Sequence, residues 1–109
     1  MGHNGRDEQE AYRAQVIGEL ERRLARLREI DSAVAAVEFR LGAMADSLRP
    51  SFGDTARLLA GVALQKKLRR DRESLLKKRL EAAEDVARAQ ERLGQVDAEL
   101  GDSVEGEDS

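Results

Sequence analysis

Cysteine is absent from this 109-residue sequence and histidine occurs once, at His3. Disulfide frameworks, thiol nucleophiles and Cys/His zinc sites are therefore excluded by count. Tryptophan is missing as well, and the aromatic residues, 3% of the chain, are Tyr12, Phe39 and Phe52. With so few large side chains, a wide globular core or a sheet sandwich is not expected. Long apolar runs are also missing: the longest, Leu58 to Leu64, has seven residues, whereas a membrane span needs roughly 20. No charged-then-apolar leader opens the chain, and the expected location is cytoplasmic. Glycine-rich phosphate loops have no counterpart, His3 lies in an end without apolar periodicity, and lone carboxylates at this density carry no catalytic signal. The expectation is a protein that is not an enzyme, with no cofactor, no metal site, no membrane and no small-molecule ligand.

What is present is charge and helix-forming residues. Charged side chains make up 38% of the sequence, and Ala, Glu, Leu, Arg and Lys dominate, the composition of long helices when it comes with helical periodicity. In the first half, apolar residues fall at Val16, Leu20, Leu27, Ile30, Val34, Val37, Leu41, Met44 and Leu48. Their alternating spacing of four and three is a heptad, with Leu20, Leu27, Val34, Leu41 and Leu48 at position a and Val16, Ile30, Val37 and Met44 at position d. Arg23 is the one gap in that seam, with Leu24 beside it as a substitute. In the second half Leu68, Leu75, Ala82, Ala89 and Val96 hold one heptad position, and Val86, Leu93 and Leu100 its partner. Further upstream the partner position holds Gln65, Arg72 and Arg79. An adjacent stripe of Leu76, Leu80, Ala83 and Ala87 predicts a buried face that drifts around the second helix.

The only proline, Pro50, lies with Phe52 and Gly53 between these halves. It removes a backbone donor, and Gly53 permits a tight turn. Asp54 is placed to cap the helix that follows. The predicted fold is all-α: an antiparallel two-helix hairpin of coiled-coil type, completed to a bundle by self-association or by a partner, because a lone pair of long helices buries only one seam each. Residues 1–6 and the acidic end 101–109 are expected to be disordered, with helices over about 7–48 and 54–100 and the turn at 49–53.

Charge is unevenly spread. Residues 1–65 carry nine bases and ten acids, residues 66–80 eight and two, and residues 81–109 two and ten. The basic block is Lys66, Lys67, Arg69, Arg70, Arg72, Lys77, Lys78 and Arg79. If the chain folds back around residue 51, Lys77 to Arg79 lie across from Arg23 to Ala25, and Arg22, Arg23, Arg26 and Arg28 complete a cationic belt. Such a belt calls for an anionic neighbour, and an acidic protein surface is favoured over nucleic acid because the overall pI of 5.3 and the acidic end oppose a phosphate backbone. A solvated helix face is the alternative for the whole run. The hairpin tip, Pro50, Phe52 and Gly53, is a further contact point, with Phe52 either a plug or an anchor. The expected function is that of a non-catalytic coiled-coil adaptor that binds another protein, or pairs with itself, through its seam, with polyanion binding as the alternative.

Two short segments resemble known families only in part. Leu27-Arg28-Glu29-Ile30-Asp31 is similar to the opening of helical chorismate mutases, but it lacks one residue between Arg28 and Ile30 and the second family arginine. Phe52-Gly53 at a central break is similar to the WxG secreted hairpins without their tryptophan or its spacing. The general plan, a charged hairpin with a basic middle, resembles the small stalk and escort proteins of flagellar and type III export, which would imply a component of such an apparatus.

Overall fold

The computed structural model describes the backbone of residues 2–48 and 54–108 and the side chains of residues 5–46 and 54–101. The chain is an all-α helical hairpin of α1 (Gly2–Leu48) and α2 (Thr55–Asp108), with no strand among the described residues. The helices run further than the expected 7–48 and 54–100: residues 2–6 and 101–108, expected to be disordered, belong to α1 and α2. Neither stretch contains proline, and once a helix exists each added residue closes a further backbone hydrogen bond without a new nucleation cost. The tip residues Pro50, Phe52 and Gly53 lie outside the described residues.

α2 starts as the sequence predicts. The Arg57 amide donates to Asp54 Oδ1 at 3.2 Å, and the Leu58 amide donates to the Asp54 carbonyl at 3.0 Å. One carboxylate thus satisfies a donor that the first turn of a helix leaves unpaired.

The hairpin divides into two compact units, one formed by Met1–Arg26 with Ala82–Ser109 and the other by Leu27–Glu81. In the first unit Val16, Val86, Ala89 and Val96 are buried, and Leu20, Leu93 and Leu100 are half-buried. Ala89 is 0% exposed, so the seam closes over a methyl group. In the second unit Val34, Val37 and Leu68 are buried, with Leu27, Ile30, Leu41, Met44 and Leu75 half-buried. Every described apolar residue assigned to the α1 heptad is therefore turned away from solvent.

The seam of α2 does not drift. Leu76, Leu80, Ala83 and Ala87, expected to join the buried face, are all exposed. Burial keeps to one seam instead: Gln65, Leu68 and Leu75 in the second unit, where the alternate positions Arg72 and Arg79 are exposed, and Ala82, Val86, Ala89, Leu93, Val96 and Leu100 in the first, where the alternation of four and three is complete. A period of 3.5 holds one stripe against the partner helix, whereas a period of 3.6 would rotate it away.

Candidate interaction surfaces

The arginines at seam positions have chain partners. In the first unit Arg23, half-buried, donates through Nη1 to the backbone carbonyl of Asp85 at 2.9 Å, and its Nη2 lies 3.9 Å from Glu19 Oε2. A helical carbonyl keeps a second lone pair after its own helix bond, so this contact leaves the helix intact. Leu24 is half-buried beside it; the arginine keeps its register position and the leucine adds cover. Arg92 bonds Glu19 at 3.1 Å and Arg13 bonds Asp97 at 2.5 Å. In the second unit Arg72 Nε donates to Glu38 at 3.2 Å, and Arg79 Nε donates to Asp31.

These pairs correct the expected register. Arg79 was expected across from Arg23; it meets Asp31, which lies eight residues further along α1. Arg23 in turn meets Asp85. The facing of Lys77 to Arg79 with Arg23 to Ala25 is thus not formed, and arginines that would have repelled one another each find a carboxylate or carbonyl instead. The partners Asp31, Glu38, Glu19 and Asp97 were missed by reasoning from the bases alone. The signal was present: each stands beside a seam position, where coiled-coil helices carry their cross-pairing charges.

The remaining site residues fall into two groups. Arg22 and Arg26 in the first unit, and Arg28 in the second, are exposed and form no ion pair among the described residues. Lys66, Lys67, Arg69, Arg70, Lys77 and Lys78, all in the second unit, are likewise exposed and unpaired there, and neither Asp71 nor Glu73 bridges to any of them. Within that unit the basic block therefore stands as a set of six free cations flanking two engaged arginines.

Apolar side chains are exposed in the same unit. Phe39 is 78% exposed, Leu59 64%, Leu80 62% and Leu64 49%. None of them occupies a seam position, which is why the partner helix leaves them in water. Phe39, Ala43, Met44, Leu64 and Leu68 with the stem of Arg40 line a shallow groove of about 300 Å³. In the first unit Tyr12, 48% exposed, borders a groove with Val96 and Leu100. Among the described residues no helix is long and apolar enough to cross a membrane, and no group of three or more His, Asp or Glu side chains is placed to hold a metal ion.

No family model matches the sequence, and no curated protein or solved structure shows significant similarity to it.

Proposed function

We propose that this chain is a non-catalytic interaction or adaptor protein that binds another protein through the outer faces of its hairpin. The observation that carries the reading is the exposure of Phe39, Leu64, Leu59 and Leu80 in one unit, where large apolar side chains outside the seam have no role in holding the two helices together. The six unpaired cations beside them supply orientation and encounter rate for an acidic partner. The test is cross-linking and pull-down from the native host. The captured protein should be lost from a Phe39→Ser/Leu64→Ser variant and kept by a Glu29→Ala variant, all three proteins remaining equally helical by circular dichroism. Capture that ignores Phe39 and Leu64 would show that this face is not the binding surface. The same proposal places the protein in the cytoplasm, which fractionation of the host tests.

The unpaired cations favour a second reading, binding of a polyanion such as nucleic acid. Contacts of this kind weaken steeply with salt. Reversing the charge of Arg69, Arg70, Lys77 and Lys78 should abolish salt-dependent RNA or duplex binding; affinity unchanged at moderate salt excludes it.

A further inference from the structure

In the unit formed by Leu27–Glu81 the two flanks of the seam are built differently. On one flank Asp31 and Glu38 of α1 hold Arg79 and Arg72 of α2, and these ion pairs span the two helices. Arg40 follows Glu38 by two residues, about 200° round the helix, and so stands on the other flank. There no ion pair joins α1 to α2 among the described residues of the unit.

That flank is open and apolar. The groove of Phe39, Ala43, Met44, Leu64 and Leu68 lies on it, and a second groove of about 270 Å³ continues it, lined by Val37, Asp71, Ser74, Leu75 and Lys78. The two share one line: Asp71 and Lys78 stand seven and fourteen residues after Leu64, Leu75 seven after Leu68, and Val37 seven before Met44. Coiled-coil helices carry cross-pairing charges at positions beside the seam. On this flank such positions hold Ala33 and Leu64 instead.

We propose that this flank docks one helix of a partner protein, which lays an apolar stripe in the groove and carries acidic side chains along the borders of that stripe. The proposal rests on the interaction reading above and names the chemistry of the partner. From Leu64 to Lys78 the groove runs about 21 Å, or four helical turns, a span suited to an amphipathic helix read through side chains three and four apart. Phe39 and Leu64 are large and exposed. Ala43 between them keeps the wall low, so that a bulky partner side chain can settle against it.

Charge fixes the sign of the partner. Arg40 and Lys78 line the grooves, and Lys67 stands between Leu64 and Asp71 on α2. All three are exposed and make no ion pair among the described residues, and Asp71 is the one acid that lines either groove. The unit as a whole has twelve bases and eight acids. A second copy does not fit this flank. Its like unit would bring cations to cations. Its other unit has seven bases and fourteen acids, but Tyr12 is the one large apolar side chain that it exposes among the described residues.

Selection of the full-length protein against a displayed library of amphipathic helices, with a leucine stripe fixed and the flanking positions randomised, tests the assignment. Enriched helices should carry Asp and Glu at the flanks. Their affinity should fall about tenfold or more with Ala43→Glu, which fills the groove and repels acids. It should be unchanged with Ala45→Glu, which adds the same charge about 200° round α1, both variants remaining as helical as the parent by circular dichroism. Enrichment of neutral or basic flanks, binding indifferent to Ala43→Glu, or no enriched helix at all would each overturn the proposal. Any of these results, alongside host capture that still depends on Phe39 and Leu64, would overturn the acidic-helix occupant alone and leave the adaptor reading in place.

Discussion

Single residues in this hairpin differ sharply in how much the fold depends on them. Gly42 and Gly94 lie inside helices, neither has a positive φ, and a Cβ built on either meets nothing within 4 Å. Both give the unfolded chain freedom that the folded state does not use. Gly42→Ala and Gly94→Ala are each expected to stabilise the protein by about 0.5–1 kcal/mol, read as a higher denaturation midpoint with an unchanged slope. Gly18 is nearly as open, since its Cβ would meet Arg22 Nη1 at 3.5 Å, an ordinary contact. Asp54 is the opposite case. Its carboxylate holds the Arg57 amide at the start of α2, so Asp54→Ala should cost about 1 kcal/mol in the same measurement, while Asp54→Ser should retain most of the stability because a hydroxyl also accepts from that amide.

Between one helix and the other, apolar spacing sets the faces and charge sets the register. The faces were legible in the sequence: Val16, Val34 and Val37 are buried as their heptad positions require, and the one irregular seam residue of α1, Arg23, stays in register through Glu19 and Asp85. The drift expected for α2 was an error of template, because Leu76 and Leu80 drew the face toward themselves although Gln65, Arg72 and Arg79 already completed a strict alternation. The register was less legible, since a hinge placed at residue 51 ignores what faces what. Asp31 and Glu38 stand one heptad apart, as do Arg72 and Arg79, so these pairs alone tolerate a slip. Glu19 does not: a shift of α2 by seven residues replaces Arg92 with Asp85 or Glu99. Glu19→Arg should therefore destabilise the hairpin by roughly 0.5–1 kcal/mol, with Arg92→Glu restoring most of it, in a double-mutant cycle. Arg72 and Arg79 occupy positions that Val86 and Leu93 fill in the other unit. Arg72→Leu and Arg79→Leu should each raise stability by about 1 kcal/mol, as burial of a leucine exceeds the worth of an exposed ion pair.

At the scale of the whole molecule, a seam this narrow makes stability depend on what covers the outside. Among the described residues the buried apolar side chains are two alanines, Ala82 and Ala89, with Leu68 and five valines, a small core to set against the ordering of two helices of 47 and 54 residues. Conformational entropy opposes that ordering at about 1–2 kcal/mol per residue, and the seam alone offers little surplus. Whatever binds the folded hairpin and not the unfolded chain therefore adds directly to its stability. If the occupant is a second copy, thermal unfolding must depend on protein concentration. A hundredfold rise should stabilise the folded assembly by about 2.7 kcal/mol per dimer, which raises the midpoint by several degrees for chains of this size. A midpoint that is the same at micromolar and submillimolar concentration in the unsubstituted chain would instead mean that the hairpin stands by its own seam, and the stability given to Arg72→Leu and Arg79→Leu would then appear in full in the isolated monomer.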